Sequence, residues 1–547
     1  MEQNGYDVSY QSGVDTDRYG PLLKNHKVFL SIGHDEYWSL PQRLNVESAR
    51  DAGVNLMFLS GNEVYWHVRY ESSIDGSNTP YRTIVDYKDT WENSAFDPAS
   101  EQTATFRDPR FAAAPGGSNP ENGLTGTMYM VNTAASPITV TQAQGKLRIW
   151  RNTGLASMSG SSTALAPNTV GYESDEDLDN GFRPAGLIDM STTTFQTDSY
   201  LQDFGTVVAP GTSTHHITLY RAASGALVFG AGTIQWAWGL DSDHDGVQSA
   251  PDPRIQQATV NLFADMGAQP STLMAGLTAA TKSADTQAPT TVITSPAAGS
   301  AVGNSTSITV TGTSTDNGGG VVGGVEVSLD GGVTWHPASG TSSWTYTGVA
   351  HGAGAWNIEA RASDDSGNLA APTMVAVNTS CPCTLFGNAT PKQADGGDTS
   401  AVELGVRFSS STDGYISGVR FYKSAANTGT HTGSLWTSAG SLLATGTFGG
   451  ESASGWQSLV FSSPVAITAD TTYVASYLAP NGHYSADLNS FYYRDYSATP
   501  LSAQLTSGDG SKVNGVYSVG HGFPTSSFRA SNYYVDVMFT ASTTVPP

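Results

Sequence analysis

The stretch Val28-Phe-Leu-Ser-Ile-Gly33-His34-Asp35-Glu36-Tyr37-Trp38 is a short apolar run of strand type. It stops at a glycine and is followed at once by an imidazole, two carboxylates, a phenol and an indole. In an open α/β sheet, ligands and chemistry collect just beyond the carboxyl ends of strands. Ser39 can cap a helix, with Gln42 reaching back, and the helical pattern runs to Asp51 and stops at Gly53. Residues 54–59 form the next apolar strand, ending in Ser60-Gly61-Asn62-Glu63. Strand, helix and strand in this order predict a parallel pair, with Glu36 and Asn62 at neighbouring strand ends on one rim.

Working outward, 547 residues exceed one core and suggest about three or four domains. Charged residues are 13% of the chain, well below the usual share of about a quarter. With 60 glycines and abundant Ser and Thr, this composition points to β-rich, loop-rich extracellular modules. A net charge of −23 excludes nucleic acid and anionic membrane surfaces as partners, since both demand basic patches. No apolar run approaches the roughly 20 residues of a membrane span. Met1-Glu-Gln-Asn-Gly5 reads as the last turn of a helix with its glycine cap, leading into a strand-like segment from Tyr6 to Tyr10. The expectation is a chain that starts inside its first domain, without an export signal.

Three modules follow from the pattern. Residues 1–283 begin as strand and helix in alternation and become more β-like between Tyr87 and Leu240, with strand candidates at 138–140, 146–150 and 227–231. They close with a helix over 253–266 whose Ile255, Ala258, Leu262, Phe263 and Met266 share one face. After a polar linker, residues 289–379 show short alternating strands of an immunoglobulin-like sandwich. Residues 384–541 are again all β, with strands expected at 416–422, 434–436, 457–461 and 473–477, and 542–547 form a tail. The two cysteines, Cys381 and Cys383, fall at the second boundary. They are either a local disulfide or two small boundary residues, and too few for a zinc site.

Three constellations could carry chemistry. His34, Glu36 and Asn62 combine with Glu173 of Gly171-Tyr-Glu173: a carboxylate can ligate a hard metal ion, a histidine can orient it or shuttle a proton, and an asparagine can donate to an oxyanion. Alternatively, His34 and Glu36 cap the helix after Ser39 and Glu173 belongs to a solvated acidic run. Asp241, Asp243 and Asp245, with Asp252 in the twelfth position, have an EF-hand-type calcium spacing; an acidic loop without metal has the same sequence. The run from Thr233 to Trp238 before it reads as a strand. Trp38, Tyr65, Trp66, Trp236 and Trp238 either wall a small dry pocket or pack core and rim. His215 and His216 are adjacent on a strand-like run and face opposite ways. No nucleophile elbow or phosphate loop is present.

Through Gly33-His-Asp-Glu-Tyr-Trp38, Ser60-Gly-Asn62-Glu-Val-Tyr-Trp66, Gly171-Tyr-Glu173 and Gly230-Ala-Gly-Thr-Ile-Gln-Trp-Ala-Trp-Gly239, the first module resembles the C-terminal region of the N,N-dimethylformamidase large (beta) subunit. That resemblance implies a glutamine-amidotransferase-like α/β fold, truncated at its N-terminus, and a small-amide hydrolase using ferric iron. It puts the iron-ligating glutamate on Glu36, its neighbouring histidine on His34, the pocket asparagine on Asn62 and the catalytic second glutamate on Glu173. It places the two ligand tyrosines before Met1, so the chain as given is expected to be inactive unless other residues replace them.

Ser328-Leu-Asp330-Gly-Gly332-Val-Thr334-Trp335 is similar to the Asp-box hairpin of sialidases; occurring once, it reads as a tight turn pinned by Asp330 and Trp335. The third module, through Gly414-Tyr-Ile-Ser-Gly-Val-Arg-Phe-Tyr-Lys423 and Gly433-Ser-Leu-Trp436, resembles an uncharacterised jelly-roll-like β-sandwich family. The alternative function is therefore an extracellular binding or adhesion protein, recognising a glycan or polymer through Trp436, Trp456 or His483.

Overall fold

Both faces of Asn55–Gly61 are apolar, and the first module is layered around it. The computed structural model describes residues 1–90, 96–111, 118–246, 249–304, 306–350, 354–493, 495–507 and 512–541; the expected tail lies outside them. Asn55–Gly61 pairs in parallel with Val28–His34 on one side and Leu227–Gly230 on the other. Thr218–Arg221 and Ile188–Asp189 extend the sheet in antiparallel sense. Leu56 and Phe58 pack under the helix Leu40–Asp51 with Val46, Ala49 and Trp38. Met57 and Leu59 point the other way, toward the helix Pro253–Asp265, with Phe229, Trp236, Leu262 and Phe263. Alternation along one strand thus builds two cores, as a sheet covered on both faces requires.

The helix after the first strand starts as its sequence predicts. The Ser39 hydroxyl accepts from the Gln42 amide at 3.1 Å, and Gly53 takes the left-handed φ of 97° just past the end. Glu2–Asn4 is a single 3-10 turn closed by Gly5 at φ 65°, while residues 6–10 belong to no strand. Met128–Ser136, Val170–Glu176, Thr193–Gln202 and Val207–His215 close into a small barrel against the sheet. Two further strand expectations fail. Residues 146–150 are 3-10 turns, in which Leu147 and Ile149 are buried at a spacing of two without belonging to a strand. The run from Thr233 turns sharply and ends in the 3-10 segment Trp236–Gly239, because the Thr233 hydroxyl bonds the Gly171 backbone rather than leaving the chain free to pair.

The second module is a sandwich of a four-stranded and a five-stranded sheet around Val310, Val325, Val327, Trp344, Ile358 and Ala360. In its hairpin, the Asp330 carboxylate accepts from the amides of Val333 and Thr334, and the Trp335 indole donates to the Gly332 carbonyl. The third module packs Gly414–Lys423, Gly455–Ile467 and Val535–Thr540 against a larger sheet that includes Val402–Ser410 and Tyr473–Ala479. Its core holds Phe408, Phe421, Tyr477 and Phe539. Cys381 and Cys383 form a disulfide at the entry to this module, where Cys383 pairs with Phe539.

Candidate functional site

The parallel pairing brings His34 opposite Gly61, so both strands end on the same rim. Gly33 has φ 75°, in the left-handed region, and turns the chain so that His34 faces out while Asp35 folds inward onto the Ser31 hydroxyl at 2.7 Å. The Glu36 carbonyl accepts from the amides of both Tyr65 and Trp66, which locks the two strand ends together. Asn62 and Val64 both hold positive φ, 54° and 58°; for a β-branched valine that is a strained conformation, held here by its neighbours. Gly61 has no room for a side chain, since a Cβ would lie 2.9 Å from the Thr233 backbone.

On this frame all four predicted site residues converge. The Asn62 amide donates to Glu36 Oε2 at 2.8 Å, His34 Nδ1 lies 3.4 Å from Glu173 Oε2, and His34 Nε2 is 3.1 Å from the Tyr172 hydroxyl. A residue the sequence did not single out, Tyr129, reaches the same carboxylate from the barrel: its hydroxyl is 2.8 Å from Asn132 Oδ1 and 3.4 Å from Glu173 Oε1. Tyr65 stacks edge-on against Tyr129, under the guanidinium of Arg107. His34 and Tyr172 are exposed, Glu36 and Glu173 are half-buried, and Tyr129 and Asn62 are buried, which describes a cleft with a wet rim and a dry floor. Burial raises the Glu173 carboxyl above the usual carboxylate range, and the charge of Glu36 adds to it; Asn62, His34 and Tyr129 oppose the rise. Burial likewise pushes Tyr65 up to about 12 and keeps the Tyr129 phenol protonated.

Beneath the rim lies a second set of acids. Asp175 accepts from the Asn62 backbone N–H at 2.9 Å and from the Thr127 hydroxyl at 2.9 Å, and burial raises its carboxyl to about 7. Glu63 is fully buried beside it, its pKa raised by burial and then by the charge of Asp175. Arg107 and Glu121 form a buried ion pair next to them.

The other sequence candidates disperse. Asp252 caps the helix Pro253–Asp265; its oxygens accept from Arg254 and from the Ala166 amide, so it does not turn toward Asp241, Asp243 and Asp245. Trp38 and Trp236 are core residues in separate clusters, Trp238 stacks on His244, and only Tyr65 lines the cleft, with Trp66 packed behind it. His215 is buried with Nε2 3.0 Å from the Ala231 carbonyl. In the third module, Trp436 is buried with its indole on the Ser476 hydroxyl, the Trp456 indole is spent on the Ala389 carbonyl, and His483 pairs with Asp395. The Trp436 ring packs on Phe523, and the Trp456 ring on Tyr422 and Tyr534 with the Arg420 guanidinium over it.

Fold and cleft together define a largely β, three-module chain whose first module carries a carboxylate, imidazole and phenol site ahead of two β-sandwiches. Its first 252 residues match the N,N-dimethylformamidase beta subunit-like C-terminal domain, residues 289–360 a bacterial Ig domain, and residues 388–535 a domain of unknown function (DUF4082). None of the curated proteins matches. Among solved structures, the chain is similar to the fibronectin(III)-like modules of Clostridium thermocellum CbhA at 23% identity and TM-score 0.15, over 17% of this chain and 96% of that one. It is also similar to an engineered protein at 20% identity and TM-score 0.14, over 29% of this chain and 31% of that one. Both TM-scores are low, and neither likeness bears on function.

Iron is implied by the first of these families. His34, Glu36 and Glu173 do not each bring a ligand atom within 4.8 Å of the others; among the described residues the trio that does is Asp285, Asp316 and Asp364. Tyr6 packs on Phe263 and Tyr10 bonds Glu2, both away from the cleft. Among the histidines and acids of the described residues, those around Glu36 therefore do not converge on one ion.

Proposed function

We propose that the first module is a hydrolytic site for a small carboxamide, on a dimethylformamidase-related scaffold of the glutamine-amidotransferase-like type. The observation that carries this is the Glu173 carboxylate, half-buried, raised, and shared between His34 and Tyr129 at the end of a parallel strand pair. Glu173 takes a proton from water as the water oxygen adds to the amide carbonyl carbon. It returns that proton to the nitrogen as the C–N bond breaks, giving acid and amine. His34 orients Glu173 from the wet side, and the phenol of Tyr129 supports it from the dry side. Asn62, through its bond to Glu36, fixes the spacing of the two carboxylates. Iron enters this reading by family relationship alone, with Glu36 as its ligand, and no step is routed through it. A disulfide between Cys381 and Cys383 supports an oxidising, extracellular setting.

The test is amine release from a panel of small N-alkyl amides by the full chain and by Glu173→Gln. Turnover that falls by about 100-fold or more in the variant is expected for a lost general base. Equal turnover in both proteins, or none in the parent with or without added iron, would sink the assignment.

A further inference from the structure

In the third module, the strand Val402–Ser410 sends Leu404, Val406 and Phe408 into the core, so Glu403, Gly405, Arg407 and Ser409 share its other face. Along one edge its partner changes partway. Val516–Val519 pairs with Glu403, Leu404 and Gly405, whereas Leu501–Ala503 pairs with Ser409 and Ser410. The two partners leave a gap opposite Arg407. There the Asn514 side chain takes the place of a strand: it accepts from the Arg407 N–H at 2.9 Å and donates to the Arg407 carbonyl at 2.9 Å. It donates as well to the Gln504 carbonyl at 2.9 Å, tying the two sides of the gap together. With the backbone so satisfied, the split leaves a cavity of about 320 Å³, whose walls include Arg407, Ser409, Thr472, Ser502, Gln504 and Lys512. That is the small end of the range for organic ligands, about 300–1,000 Å³, and suits a single sugar-sized unit.

Arg407 points to the charge of the occupant. It is half-buried, its Nε is buried without a hydrogen-bond partner, and among the described residues no carboxylate forms an ion pair with it. The acid on its own face, Glu403, stands four residues away, about 13 Å along the strand. Glu403 gives its oxygens to the Ser476 hydroxyl at 2.6 Å and to His521 at 3.0 Å. In a chain of net charge −23, where Arg107, Arg183 and Arg361 are each buried or half-buried on a carboxylate, a cation left open inside a cavity departs from the pattern. A buried donor on a charged group is costly to leave unbonded, and an anion accepting from it removes that cost. The planar fork of a guanidinium fits a carboxylate through two parallel hydrogen bonds. Lys512, exposed on the same wall, adds a second positive charge at the mouth. The remaining polar wall is neutral: the Ser409 and Ser502 hydroxyls, 3.0 Å apart, with Thr472 and the Gln504 amide. Such groups both donate and accept, as the hydroxyls of a sugar require and a bare inorganic anion does not.

We propose that this cavity binds a carboxylated sugar, a uronic acid unit, with the carboxylate on Arg407 and Lys512 and the hydroxyls on the Ser409, Ser502 and Gln504 wall. The site belongs to the third module and is independent of the hydrolytic reading of the first.

The test is titration calorimetry of the full chain with glucuronate, glucose and inorganic phosphate. Glucuronate should fill one site at least about tenfold more tightly than either of the others, and should weaken as salt is raised. Arg407→Gln, on the outer face of its strand, should melt as the parent does and lose at least about tenfold in affinity. Lys512→Gln, at an exposed position, should weaken binding by about two- to fivefold, and it decides the matter should Arg407→Gln fail to fold. The proposal is overturned if glucuronate does not bind the parent, if glucose or phosphate binds as tightly, or if Lys512→Gln and a folded Arg407→Gln bind glucuronate as the parent does.

Discussion

Glu63 has no exposed surface, and as an anion neither of its oxygens finds a donor. Protonated, it can donate to Asp175, which already accepts from Asn62 and Thr127. The pair therefore holds one proton near neutrality, which neutralises part of the charge beneath the cleft. The sign of the linkage follows from both folded pKa values being raised. The folded state binds more protons than the unfolded chain, so the pair's contribution is complete below about pH 4 and is lost as pH rises through about 7. Glu63→Gln keeps the shape and removes one acid, and its melting temperature should fall less steeply over that window than the parent's. Identical slopes in thermal scans against pH would refute the shared proton. At the same scale, Tyr129→Phe removes a hydrogen bond that lowers the Glu173 pKa. If Glu173 is the base, the acid limb of the rate profile should move to higher pH with the alkaline side unchanged. An unmoved limb would assign Tyr129 to packing alone.

The helix Leu40–Asp51 and the strand Asn55–Gly61 position the site, and their energetics can be separated. The Ser39 hydroxyl both accepts from Gln42 and donates to Asp17 at 2.5 Å, so Ser39→Ala should cost about 1–2 kcal/mol, at the upper end for a helix cap. Phe58 is fully buried between that helix and the sheet, and Phe58→Ala should cost about 3–5 kcal/mol. Denaturant titration gives both; a Phe58→Ala loss no larger than that of Ser39→Ala would mean that this side of the sheet does not hold the module together. These elements were legible because their signals are local: a cap, a terminating glycine and a continuous apolar run. The same local reading made strands of residues 146–150 and 233–238, where Leu147 and Ile149, or Ile234 and Trp236, are buried at alternate positions. Their backbone hydrogen bonds go instead to turns, and tertiary partners such as Gly171 decide that. His34, Glu36, Asn62 and Glu173 could be named from motif and resemblance. Tyr129 could not, since nothing around Met128-Tyr-Met130 marks it until the barrel strand carries it to Glu173. Asp285, Asp316 and Asp364 were equally hidden, because they converge only when three turns far apart in the chain fold together.

At the scale of the molecule, a net charge of −23 is held by a few well-placed cations, and Arg183 is the clearest case. Its guanidinium, 6% exposed, pairs with Asp177 at 2.8 Å inside the first module and with Glu326 at 3.0 Å in the second. Glu326 also takes Arg361 at 2.8 Å and the Gly186 amide at 2.9 Å, and Arg361 lies over the Trp335 ring of the Asp330 hairpin. One buried carboxylate thus gathers donors from both modules, and being out of water it is screened little by salt. Removing one partner of such a set costs about 3–5 kcal/mol, because the cations stay behind. Glu326→Ala leaves Arg183 its pair with Asp177, so the first module should keep its own stability while the coupling between modules is lost. Calorimetry should then show the parent's first two modules melting in one transition that divides into two in the variant, in high salt as well as low. Two separate transitions already present in the parent would show that this buried cluster is a contact between independent modules and not the bond that makes them one unit.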